Sequence, residues 1–191
     1  MKTSIARGLI PIALALAAAG AFADEAKLLE EARGVATSVP PKLLAVLQEE
    51  IARGGPEGAI DVCSERAPQL AKQASEKTGW NIRRVSLKNR NPKAVPDAWE
   101  QAVLQDFDRR AAAGENPATL EKGEVVVDNG VKVYRYMKAL PVQPLCLNCH
   151  GAPENMSPAT KAKLAERYPD DKGTGYAVGQ IRGAMTIRRP I

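Results

Sequence analysis

Apolar residues recur at helical spacing along the first part of the chain: Leu28, Leu29, Ala32 and Val35 form one stripe, and Leu43, Leu44, Leu47 and Ile51 a second. Residues three and four apart share one face of a helix, so both stripes predict amphipathic helix. Pro40-Pro41 separates them and Gly54-Gly55 follows, which predicts a helix over 24–53 broken or kinked near Pro40. Pro56, tolerated in a first helical turn, opens another helix whose small and apolar stripe runs Ala59, Ile60, Cys63, Ala67, Leu70, Ala71, Ala74 and stops at Gly79. Cys63 therefore falls on its inward face. The period then changes. Over 80–87 apolar and basic residues alternate through Ile82, Arg84, Val85 and Leu87, a strand ended by the turn-forming Asn89-Arg90-Asn91-Pro92. A helix follows over 96–113, with Trp99, Val103, Leu104 and Phe107 on its buried side and Gly114 as its stop. Strands over 124–127 and 131–140 flank Asp128-Asn129-Gly130, a hairpin signal because Asn-Gly accepts the positive φ angles of a tight turn. A short helix over 157–167 and a last strand over 176–187 complete the chain. This order predicts an α+β fold: an antiparallel sheet flanked by helices, with an N-terminal helical segment.

The chain's beginning changes the picture. Lys2 and Arg7, a mostly apolar run over 8–19, and Ala21-Phe22-Ala23 before Asp24 read as a signal peptide over 1–23, cleaved after Ala23. The expected mature domain is 24–191, the size of one ordinary domain with a single core. No later stretch reaches the roughly 18 consecutive apolar residues of a membrane span, so no stable membrane anchor is expected after cleavage. Losing Lys2 and Arg7 lowers the formal charge from +5 to +3, too little to suggest a nucleic-acid partner. Three cysteines in an exported chain are an odd number for a disulfide framework.

Two of them explain themselves. Cys146-Leu147-Asn148-Cys149-His150 is a C-x-x-C-H run, in which two thiols meet the two vinyl groups of a haem and the adjacent imidazole reaches the iron. The expected cofactor is one covalent haem c, with Cys146 and Cys149 as thioethers and His150, the only histidine, as an axial ligand. Thioether formation follows export, which places the protein in the periplasm. A zinc site would need further Cys or His ligands that the sequence does not cluster. The sixth iron position is open to Cys63, Met137, Met156, Met185, or water or a vacancy. Candidate partners for the propionates come from Arg83, Arg84, Arg90, Tyr134, Arg135 and Tyr136, of which Arg84, Arg90 and Tyr134 are singled out. No Ser/His/Asp set, phosphate loop or paired carboxylates stand out, and an iron-bound histidine is not a free base, so no enzyme activity is expected.

Several runs together resemble a known family: Ala59-Ile60-Asp61-Val62-Cys63-Ser64-Glu65-Arg66-Ala67-Pro68, then Ile82-Arg83-Arg84-Val85-Ser86-Leu87-Lys88-Asn89-Arg90-Asn91-Pro92 with Trp99-Glu100, then the haem motif with Gly151. They are similar to the secreted single-haem c-type PAS-like domains long grouped as a domain of unknown function, which stand alone or form the sensing end of histidine kinases and chemoreceptors. The resemblance implies a PAS-like sheet of about five strands flanked by helices. It also implies that Cys63 coordinates the iron opposite His150. The implied function is a periplasmic haem sensor of redox state or of a diatomic gas, signalling to a separate protein, since nothing follows Ile191 in this chain. The rival is a periplasmic electron-transfer cytochrome that passes electrons to a redox partner. A carrier keeps two strong iron ligands in both redox states, whereas a sensor loses or exchanges one.

Overall fold

The computed structural model describes residues 13–191, with side chains from Asp24 onward; residues 1–12 of the expected signal peptide lie outside the described residues. Helix α1 (Ala13–Ser38) is followed after one residue by α2 (Pro40–Thr78). The break falls where it is expected, because Pro40 and Pro41 lack the N–H groups that would continue the first helix. The expected stop at Gly54-Gly55 is instead a kink: Gly55 takes φ 75° and ψ 177°, and Pro56 restarts the helix. Gly79, at φ 74°, ends the second arm and donates its N–H to the Ser75 carbonyl.

After α2 come β1 (Asn81–Val85), α3 (Ala98–Ala112), β2 (Glu121–Asp128), β3 (Val131–Pro141), α4 (Leu147–His150), α5 (Pro158–Arg167) and β4 (Ile181–Pro190). The strands form one antiparallel sheet in the order β1-β4-β3-β2. It has four strands among the described residues rather than about five. The hairpin turns at Asn129 and Gly130, both at positive φ as predicted. The last strand begins later than its pattern suggests. Gly175 and Gly179 take φ of 73° and 87°, the chain turns over 177–180, and β4 starts at Ile181 and continues through Arg188 and Arg189.

Strand side chains alternate between the sheet's faces. On one face, Ala32, Ala36 and Val39 from the α1 region pack against Trp80, Ile82, Tyr134, Tyr136, Met185 and Ile187, with Leu70, Ala71 and Ala74 of α2 beside them. On the other, Val103, Leu104 and Phe107 of α3 cover Val85, Met137, Ala139 and Ala184. A third cluster, Ile60, Met156 and Leu164, joins the second arm of α2 to α5 and takes in Cys149 and Tyr168. No helix among the described residues is long and apolar enough to cross a membrane.

Candidate haem-binding site

Strand β3 leads through a short 3₁₀ turn into α4, one turn of helix that carries Leu147 to His150. Cys146 and Cys149 stand three residues apart and so project to the same side. All three thiols are free and half-buried. Cys146 Sγ lies 3.4 Å from the Gln143 N–H, and Cys149 Sγ 4.0 Å from the Pro56 carbonyl. Burial pushes the Cys149 thiol up to about 11.

His150 is held by its neighbours' backbone. Its Nδ1 lies 2.7 Å from the Gly173 carbonyl oxygen, while Tyr176 N–H donates to the His150 carbonyl at 2.9 Å and Gly175 N–H to the Gly151 carbonyl at 2.8 Å. Donation from Nδ1–H to Gly173 fixes the tautomer and leaves the Nε2 lone pair free. Arg182 Nε also approaches Nδ1, at 3.1 Å. One nitrogen cannot donate to the carbonyl and accept from the guanidinium at once. The shorter contact, to Gly173, sets the proton, and the guanidinium abuts the ring edge. Burial first, then the charges of Arg182, Arg90 and Arg84, hold the imidazole well below its ordinary pKa, so it is neutral at pH 7 as a ligand must be. A Cβ on Gly173 would sit 2.5 Å from Arg182 Nη2, so this approach requires glycine.

Three arginines surround the turn. Arg90 donates to Asp171 from Nε at 2.9 Å and reaches the Cys149 and Gly173 carbonyls through Nη2. It is a clamp between loops rather than a free cation. Arg182 donates to Ser86 Oγ at 2.8 Å and the Lys88 carbonyl at 3.0 Å. Arg84 makes no hydrogen bond or ion pair among the described residues. It is exposed near the end of β1. Its charge is felt there by Cys63, whose thiol burial pushes up while Arg84, Arg90 and Arg182 pull it back. The second arm of α2 thus brings Cys63 within reach of the charges of Arg84, Arg90 and Arg182.

The structure does not bring Tyr134 there. It is buried under α1, edge-on to Trp80 at 6.1 Å between ring centroids, and Tyr136 beside it donates to Glu121 at 2.7 Å. Arg83 and Arg135 go to the opposite face, where both serve the buried Glu100 of α3. The methionines fill cores: Met137 under α3, Met156 between α2 and α5, Met185 beside Ile187. Sequence reasoning missed Arg182, Asp171, Gly173 and Tyr176. Among the described residues no three or more His, Cys, Asp or Glu side chains group as a metal-ion site.

The family model for Tll0287-like proteins, Tll0287, matches residues 15–190, a span that includes every residue of this site. The chain belongs to the Tll0287-like family. Among solved structures, the cyanobacterial haem protein Tll0287 resembles this Tll0287-like chain with a TM-score of 0.55 and 30% identity, over 68% of this chain and 71% of that one. The fold is the α+β arrangement of that neighbour. No curated protein matches the sequence.

Proposed function

We propose that this chain is an exported single-haem c-type protein that senses redox state or a small gas in the periplasm and signals to a separate protein. Cys146 and Cys149 would carry the thioethers, His150 Nε2 and Cys63 would hold the iron, and Arg84 would meet a propionate. The observation that carries the reading is the donor set: two thiols and a neutral imidazole on one turn, Nδ1 committed to Gly173, and Cys63 on α2 facing the charges of Arg84, Arg90 and Arg182. A site with three arginines and one paired carboxylate, Asp171, suits an anionic cofactor. The neighbouring haem protein Tll0287 supports the same cofactor.

Bound there, haem supplies one-electron chemistry and a position for a small ligand. The protein's part is to orient and to respond. Gly173 fixes the ring of His150, the Arg90–Asp171 pair holds the loop behind it, and Cys63 favours oxidised iron as a thiolate. Cys63 would be the residue that responds. The one histidine is committed as a ligand, so no catalytic role is assigned.

The test is the visible spectrum of the purified protein, oxidised and reduced, with and without carbon monoxide. The reduced spectrum is expected to change with the gas, and haem stain is expected to survive denaturing electrophoresis except in the Cys146→Ala/Cys149→Ala variant. A reduced spectrum indifferent to carbon monoxide would refute the sensing role and leave an electron carrier.

A further inference from the structure

Arg182 is only 5% exposed, yet it pairs with no carboxylate among the described residues. Burying a cation without a counter-charge is costly, and replacement by a neutral residue of similar volume often stabilises a protein. Its neighbours compensate in part: Ser86 Oγ and the Lys88 carbonyl accept from Nη1, the Tyr176 ring lies 5.3 Å from Cζ, and Asp171, already paired with Arg90, adds negative charge nearby. Burial, then Arg84, push the guanidinium down to about 10, far enough above neutrality that it keeps its charge. Holding the loop does not need that charge, because Arg90 and Asp171 already do so. What Arg182 adds is a positive charge 3.1 Å from the Nδ1 edge of His150.

We propose that Arg182 is a positioning residue that sets the reduction potential of the iron, holding a fixed positive charge against the ring of His150. Reduction adds one electron and lowers the charge on iron, so a nearby cation disfavours the oxidised form and raises the potential. A thiolate from Cys63 acts in the opposite sense. Arg182 then offsets Cys63, and its guanidinium lies where a Cβ on Gly173 would meet it. The inference rests on the haem reading above.

The experiment is potentiometric titration of the haem-loaded protein, wild type against Arg182→Gln and Arg182→Lys, with urea unfolding to establish that each variant is folded. The midpoint is expected to move to more negative potential in Arg182→Gln and to stay near wild type in Arg182→Lys. Tyr176→Glu is a second route: it leaves Arg182 and its anchors in place, supplies a counter-charge, and is expected to move the midpoint the same way, whereas Tyr176→Phe is not. An unchanged midpoint in Arg182→Gln and Tyr176→Glu, or an Arg182→Lys midpoint as low as that of Arg182→Gln, overturns the charge role. Failure of the haem reading is separately visible as wild-type protein without covalent haem.

Discussion

A thiol held among apolar atoms keeps its proton, because the thiolate is the form that burial penalises. Cys63 is half-buried, its pKa raised by burial, but with arginine charge facing it. A metal cation reverses the balance outright and deprotonates a coordinating thiol. The three methionines have no comparable reason to leave their places, since each already fills a packed core. In ferric protein, Cys63→Ala is therefore expected to abolish the low-spin thiolate signal in electron paramagnetic resonance. Met137→Ala, Met156→Ala and Met185→Ala are expected to leave it intact while lowering stability by about 2–5 kcal/mol each. A signal that survives loss of Cys63 and disappears with one methionine would reassign the ligand. At this scale the sequence singles out the Cys146–His150 run because its chemistry is local. It is silent about Arg182, which reads as one more basic residue on a strand until β4 and the 171–176 loop close over His150.

The elements owe their joints to a few glycines whose demands differ in kind. Gly130, at φ 82°, has open space where a Cβ would go, so Gly130→Ala carries conformational strain alone, about 1 kcal/mol. At Gly183 a Cβ would lie 2.3 Å from the Val85 carbonyl oxygen, within the pairing of β1 and β4. Gly183→Ala must push two strands apart, and a loss on the order of 3 kcal/mol is expected. Urea unfolding of the two variants checks the ranking; equal losses would mean that the strands yield without cost. The same contrast explains what the pattern gave away. Asn129-Gly130 announces itself because a tight turn is a local event. The start of β4 did not, because Gly175 and Gly179 bend a stretch whose composition still reads as strand.

Across the whole molecule, α1 is strapped to the sheet by Glu121 on β2, which accepts from Arg33 Nε at 2.8 Å and from Tyr136 at 2.7 Å. The bond from Arg33 holds the Glu121 carboxyl below its ordinary 4.5. A group depressed on folding contributes stability that is full above the unfolded value and fades as pH falls through the folded one. Glu121→Gln is thus expected to be less stable than wild type at pH 7, with the gap closing below about pH 4.5, as read by urea midpoints across pH. Cleavage after Ala23 would leave this strap whole, because Arg33, Ala32 and Ala36 all lie beyond it. Mass spectrometry of the exported protein is expected to find Asp24 at its start, and an intact Met1 would contradict the signal-peptide reading. The residues that fasten His150 also carry an order in time. Gly173, Asp171, Tyr176 and Arg182 all come after it in the chain, and a chain exported N-terminus first presents the Cys146–His150 turn before they have crossed to close on it. In the finished fold Cys149 is packed against Ile60, Met156 and Leu164. The thiols are therefore open to modification for an interval between export and the completion of folding, and the closing of the last strand ends it.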